Sequence, residues 1–491
     1  MGRTRKESPM IIRTACSPTE REALHAQVCQ LVDVYLDTCG KAGLDLHGVE
    51  VAHEKVMAQI GKALNKAGVN DAMAQPVVWR CPECGRFLGY HDTQEKDVIL
   101  ASGEARLKEG RYRCSYCKED YRPVSVLNDL EETGYTLGAR QKVVETATEI
   151  AFAPTSEAVR PPVVVSPKKV EAVVGEAAGW LRGEQRQGIK GYLGDREKPG
   201  KHRSTRPTWL VTQWQERDLP PGAVLTITMD GAKIRGKERD KDGKLAWFEG
   251  RAATFSVSVE GQELPVKESG GKVYLAGKVD VDELFEWMCA THAALPEQIR
   301  SLPTAIIGDD GPWWERASEH FPHATQILDV YHAGDVLGRA AALCFGEGTP
   351  EAKVWRQHAR EWLQEEGKQE ELIAALRAAL PDAKLRLDEK AYHEAELAIG
   401  YLERNKERMR YWEFKAMGLP ISSGVAESAV KQTVIARCRQ AGMMWREDHA
   451  DGILRLRAGM LSGELPALYQ RRREACLQRA RRFNESLQLA A

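Results

Sequence analysis

Three stretches of β-forming residues in this chain each run into a carboxylate. "AVLTITMD" ends on Asp230, "TAIIGDD" on Asp309 and Asp310, and "ATQILD" on Asp329. Taken alone, Asp230 before Gly231 is ordinary turn chemistry. Parallel neighbours that carry acids at the same end, however, place carboxylates within reach of common cations. Two Mg²⁺ roughly 3.5–4 Å apart need bridging and flanking oxygens from several acids, and such a pair serves phosphodiester chemistry. The conjunction of three apolar runs, each stopping on acid, favours a metal site over three separate turns.

The elements around these runs have a definite order. Strands dominate 222–277, with "AVLTITMD", "RAATFSVSVE" and "GKVYLAG". "VDVDELFEWMCATHA" then reads as a helix, "TAIIGDD" as a buried strand, "PWWERASEHFP" as a short helix and "ATQILDVYH" as a strand. Long helices fill 333–415. Three strands, a helix, a strand, a helix, a strand and then helices is the order of an RNase H-like α/β domain with a helical insertion. A further acid follows in "GLPISSGVAESAVKQTVIARCRQAGMMW", where Ser422-Ser423-Gly424 opens a helix carrying Glu427. Glu427 with Lys431 is an i,i+4 helix pair on the plain reading. On the sharper one it is a metal-binding acid facing the strand ends, and Lys431, Arg437 and Arg439 beyond it meet phosphates.

Upstream lie two Cys-x-x-Cys pairs, Cys81/Cys84 and Cys114/Cys117, with 29 residues between them. Two residues between cysteines let both thiolates turn onto one Zn²⁺, and two such knuckles complete a tetrahedron. The strand-like, glycine-punctuated "DVILASGEARLKEGRYRC" between them fits a zinc ribbon. Cys29, Cys39, Cys289 and Cys344 sit in helical patterns and are expected to be packing residues. Trp355, Trp362 and Trp412 are expected in a helical core.

The 491-residue chain is too long for one core, and its net charge is −1, so nucleic-acid affinity has to come from local patches. One such patch is C-terminal: 431–483 holds twelve Lys/Arg against five Asp/Glu, including Arg471, Arg472 and Arg473. No apolar run approaches the ~18 residues of a membrane span. No apolar segment follows the basic N-terminus, and the odd, scattered cysteines argue against a disulfide framework. The expected location is the cytoplasm.

"TMDG", "IGDDGPWW", "FPHATQILDVYHAGDVLGRA" and "GLPISSGVAESAVKQ", in that order, resemble bacterial insertion-sequence transposases of the Kra type, DDE enzymes related to the Mutator-like superfamily. The resemblance covers about 80–460, the cysteine region included. It implies an enzyme for metal-dependent DNA cleavage and strand transfer, with Asp230, Asp310 and Glu427 holding Mg²⁺ or Mn²⁺. It matches Asp329 and His332 to the family's Asp-x-x-His motif, in supporting roles; for His332 a purely structural role stands beside that one. Asp309 duplicates the second acid. Transposon ends and target DNA, both double-stranded, are the implied partners, with at least a dimer acting on DNA.

The division expected is an N-terminal helical region (1–76), a zinc ribbon (77–125), a helical region with a possible helix-turn-helix (126–182) and a basic linker (183–221). The RNase H-like core follows (222–346), then the helical insertion (347–417) and the completion of the core with basic C-terminal helices (418–491). A DNA-binding regulator derived from a transposase, and a nuclease that cuts without joining, are the alternatives.

Overall fold

The computed structural model describes residues 18–488, except 43–45, 74–79, 82, 131–133, 160–162, 164, 198–213, 215–217, 240, 242, 310–312 and 423–428. The chain divides into two compact units, Met1–Ala177 with Pro466–Ala491, and Ala178–Leu465. The C-terminal helix Glu464–Gln488, expected with the catalytic core, thus belongs from Pro466 onward with the N-terminal residues. Among the described residues no helix is long and apolar enough to cross a membrane.

In the first unit, helices Pro18–Ala42 and Leu46–Met73 precede an antiparallel hairpin of β1 (Gly89–Leu100) and β2 (Gly103–Arg113), with β3 (Asp120–Tyr121) on the edge of β2. Strand alternation sorts β2: Ala105, Leu107 and Glu109 point in, Arg106 and Lys108 out. Among the described residues Val98, Ala105, Leu107 and Leu130 make a small buried cluster, with Leu100 and Val124 packed against it. Helix Leu137–Glu149 starts at Thr136, whose hydroxyl accepts from the Ala139 amide at 3.3 Å. The buried Arg140 pairs with Glu176 at 2.7 Å.

Helix Pro167–Glu197 runs through the first fifteen residues of the expected basic linker. Its glycines each cost up to ~1 kcal/mol of helix propensity, but tertiary packing overrides them. Ile189, Tyr192 and Leu193 recur at helical spacing and pack into the main core of the second unit. Arg182 and Gln185 on the same helix join a buried network, at 2.9 Å to Asp451 and 2.8 Å to Arg455.

The second unit is built on a six-stranded mixed sheet. Its strands are β4 (Val224–Arg239), β5 (Leu245–Val259), β6 (Gln262–Glu263), β7 (Val273–Gly277), β8 (Thr304–Gly308) and β9 (Thr325–Leu328). The order is β6-β5-β4-β8-β9, with β7 on the same edge of β5 as β6. β5 is antiparallel to β4 and to β7, while β8 and β9 continue parallel from β4. Helices Val281–Ala294 and Trp313–His320 lie in the connections into β8 and β9. Parallel strands buried on both faces read as unbroken apolar runs, as Ala305, Ile306 and Ile307 do.

After β9, helix Val330–Phe345 leads into helices Pro350–Trp362, Lys368–Ala383 and Glu389–Asn405, where the sequence places the helical insertion. Leu337, Leu376, Ile399 and Leu402 lock them into the main core. Trp355 is buried edge-to-face on Trp362, and Cys289 and Cys344 are buried as expected. Cys29, expected in packing, is exposed.

Candidate active site

β4 does not stop at Asp230. It continues to Arg239 and stays paired with β5, with Asp230 opposite Ala252 and Gly231 opposite Arg251. The Asp-Gly pair is therefore not a turn. Gly231 is needed for a different reason: a Cβ there would meet Glu249 Oε1 at 2.7 Å, so only glycine lets the Glu249 side chain lie across the strand at Gly231, on the face opposite Asp230. Glu249 is held by Arg251 at 2.6 Å. Sequence reasoning passed over Glu249, because the hairpin register that sets it opposite Lys233 and close enough to act on Asp230 is not written in local spacing.

What ends at Asp230 is the parallel ladder. Thr228 pairs with Ile307 on β8, and Gly308 with Leu328 on β9. Continued past those pairs, the register sets Asp230, Asp309 and Asp329 in one row where the parallel ladder of β4, β8 and β9 ends. The Asp329 amide extends it by donating to the Gly308 carbonyl at 3.2 Å. Residues opposite each other in register share a face, so the three carboxylates leave the same side of the sheet.

Asp329 also begins the next helix. Its carboxylate accepts from the His332 amide at 2.8 Å, an N-cap, and the residue is 4% exposed. That turn brings His332 back to the row, with Nδ1 3.6 Å from Asp309 Oδ2 and its ring edge-on to Tyr401. Burial pushes Asp230 up to about 6, with Asp309, Glu249 and Asp329 adding repulsion and the Gly231 amide working against it. Burial also raises Asp309, Asp329 adds to it, and His332 takes part of it back. Desolvated like charges are what a bound cation relieves, and carboxylates are the hard oxygen donors that Mg²⁺ or Mn²⁺ takes.

The chain comes back to this row from the helical region. Val330 donates its amide to Ile421 at 3.1 Å, so the segment leading into 423–428 crosses the start of the Asp329 helix. Beyond it, Lys431–Ile435 is a π-helical turn, a distortion frequent at functional sites. A Cβ on Gly250 would meet Val434 and Leu454. Gly250 shares a face with Ala252, the partner of Asp230, so this helical segment covers the sheet face that carries Asp230. Asp310 and Glu427 themselves lie outside the described residues.

In the first unit the four cysteines converge. Cys81 and Cys117 Sγ are 3.8 Å apart, and Cys84 and Cys114 Sγ 3.6 Å. Four thiolates at ~2.3 Å around one tetrahedral ion stand about 3.8 Å from each other, so the spacing fits a single metal. Each knuckle closes in the same way. Gly85 donates to the Cys81 carbonyl at 2.9 Å and Lys118 to that of Cys114 at 3.0 Å, both in the left-handed region at φ 69° and 67°. Burial opposes ionisation of Cys81, but the Tyr121 hydroxyl and the amides of Cys84 and Glu83 draw its thiol down to about 6. Among the described residues this is the set whose ligand atoms all lie within 4.8 Å of one another; the acid row is more open.

Most cations expected on DNA are engaged elsewhere. Arg437 is 1% exposed and stacks 4.8 Å from the Trp445 ring, and burial draws it down to about 10. It is a core residue here, not a phosphate contact, because its helix turns that face inward. Arg473 donates to Gln141 at 2.8 Å, and Arg471 and Arg472 are half-buried within the first unit. Lys431 and Arg439 are exposed.

No protein-family model matches the chain, and no curated protein matches it in sequence. Among solved structures it aligns with the Drosophila P element transposase strand transfer complex, at 12% identity over 62% of this chain and 80% of that one. The TM-score of 0.18 does not establish a common fold.

Proposed function

We propose that this chain is the DNA transposase of an insertion sequence, similar to the Kra type, with a DDE site on an RNase H-like domain. The observation that carries the reading is the row of Asp230, Asp309 and Asp329 where the parallel ladder of three adjacent strands ends, with two of its carboxyls held above their ordinary range. The strand order β7-β5-β4-β8-β9, antiparallel on one side and parallel on the other, supports the RNase H-like part. Helices Pro350–Trp362, Lys368–Ala383 and Glu389–Asn405 support the insertion.

In this reading Asp230 and Glu427 hold Mg²⁺ or Mn²⁺ with one or both acids of the Asp309–Asp310 doublet. When bound, such ions activate an oxygen nucleophile and stabilise the leaving oxygen. Asp329 caps its helix and so sets where His332 stands, and His332 compensates Asp309. The reaction is hydrolysis of a phosphodiester at the element's end, which frees a 3′-hydroxyl, and attack of that hydroxyl on a target phosphodiester. Two ends processed together call for at least a dimer on DNA. The four cysteines hold one Zn²⁺.

The test uses purified protein, Mg²⁺ and duplexes carrying the element's own terminal repeats. Nicking and joining are expected. Nicking without joining would make the chain a nuclease, and specific binding without either would make it a regulator. Asp329 separates capping from chemistry. Asp329→Asn is expected to keep the cap and the stability yet lower the Mg²⁺-dependent rate, while Asp329→Ala also loses ~1 kcal/mol. Urea denaturation beside the nicking assay reads both; full activity in the Asn variant would leave Asp329 a cap alone.

A further inference from the structure

Past Asp230, β4 and β5 leave the sheet as a two-stranded arm. One face is tied to the protein: Ala232, Ile234 and Gly236 are buried. The backbone is clamped along its edge, with Trp445 donating to the Arg235 carbonyl at 2.9 Å and Lys237 to that of Trp445 at 2.8 Å. Alternation turns Lys233, Arg235 and Lys237 to the other face, where all three are exposed. Trp247, opposite Arg235, is 56% exposed beside them. From 231 to 247 the sequence has six Lys/Arg against three Asp/Glu, in a chain of net charge −1.

A row of cations on a strand is often only a solvated face, and the β1–β2 hairpin shows what that looks like. There Arg106 pairs with Asp97 at 3.0 Å, Lys108 with Glu95 at 2.8 Å and Arg111 with Asp92 at 2.7 Å, each neutralised across the ladder. On the β4–β5 arm the cross-strand partner of Lys233 is Glu249, which is turned to Arg251 instead. Among the described residues Lys233, Arg235 and Lys237 have no ion pair. Residues two apart on a strand are ~6.8 Å apart, so the cations extend from ~10 Å to ~24 Å beyond Asp230 along a rigid support.

We propose that this open face of the arm, which alternation sets opposite the face that carries Asp230, holds the sugar-phosphate backbone of duplex DNA as a contact surface separate from the acid row. The inference rests on the transposase reading and adds to it a contact surface that the C-terminal basic tract was expected to supply. Its recognition is of charge and not of bases: two lysines and an arginine in extended spacing meet phosphates without a sequence preference.

Salt titrations of full-length protein on two unrelated duplexes, without added Mg²⁺, test it. The triple variant Lys233→Gln, Arg235→Gln, Lys237→Gln is expected to lower the log-log salt slope by about 2.7, at ~0.9 per phosphate contact, on both duplexes. The charge-keeping variant Lys233→Arg, Arg235→Lys, Lys237→Arg should keep the slope, as should Arg106→Gln, Lys108→Gln. An unchanged slope in the triple variant while cleavage persists overturns the arm and leaves the transposase reading standing. A lowered slope in a protein that never cuts DNA supports the arm and sinks that reading. A loss confined to one duplex, or a wild type that binds no duplex, overturns the arm.

Discussion

Replacing Asp230 by asparagine is expected to abolish Mg²⁺-dependent DNA cleavage and joining while leaving the chain folded and more stable at neutral pH. The loss should exceed the ~10²–10³-fold seen when a single transition-state donor is removed, because the ligand lost supports both the nucleophile and the leaving oxygen. The gain in stability comes from the same environment. Asp230 is pushed from 3.8 up to about 6 by burial, with three carboxylates adding repulsion. Well below pH 3.8 the carboxyl is protonated in folded and unfolded chains alike, and no difference arises. As pH rises to about 6 the unfolded chain ionises first, so stability falls, and above that it is flat. The whole fall amounts to roughly 3 kcal/mol at most.

Asparagine carries no charge and should flatten most of that fall, leaving the part due to Asp309, which is raised in the same direction. Added Mg²⁺ should reverse the trend in the wild type, because the cation competes with the proton and its grip strengthens as pH rises. Urea denaturation at pH 4.5 and 7, with and without Mg²⁺, reads all of this. An asparagine variant that keeps the wild-type fall in stability, or that still cuts DNA, would remove Asp230 from the metal site.

Zinc is the second large effect. One Zn²⁺ per chain is expected, and its removal by chelation, or Cys114→Ser, should unfold the region around β1, β2 and β3. Among the described residues the hairpin's own buried cluster is Val98, Ala105, Leu107 and Leu130, with Leu100 and Val124 against it, too little to hold two long strands unaided. Structural zinc supplies an apparent ~10–16 kcal/mol in small domains, and Cys114, fully buried, cannot be replaced from solvent. Metal analysis together with hydrogen exchange checks it: protection should vanish across 89–121 while the six-stranded sheet keeps its own. Absence of zinc in the purified protein, or a Cys114→Ser variant with unchanged protection, contradicts the assignment.

Features that depend on neighbours in the chain were legible in the sequence alone. The two Cys-x-x-Cys knuckles follow from spacing, and the four thiols do converge. The apolar runs into Asp230, Asp309 and Asp329 are local patterns, and so is the helical region after β9; from them came the acid row, though the strand expected to finish on Asp230 runs on to Arg239. Only the tertiary structure decided what covers what. It carried β4 through Asp-Gly, because β5 pairs on past the point where β8 stops. It laid Glu249 over Gly231, and it kept residues 183–197 helical because Ile189, Tyr192 and Leu193 had a core to enter. It buried Arg437 against Trp445 while leaving Lys233, Arg235 and Lys237 open. An arginine's charge is written in the sequence; whether it meets a tryptophan, a carboxylate or solvent depends on register and packing between segments far apart in the chain, which no local pattern encodes.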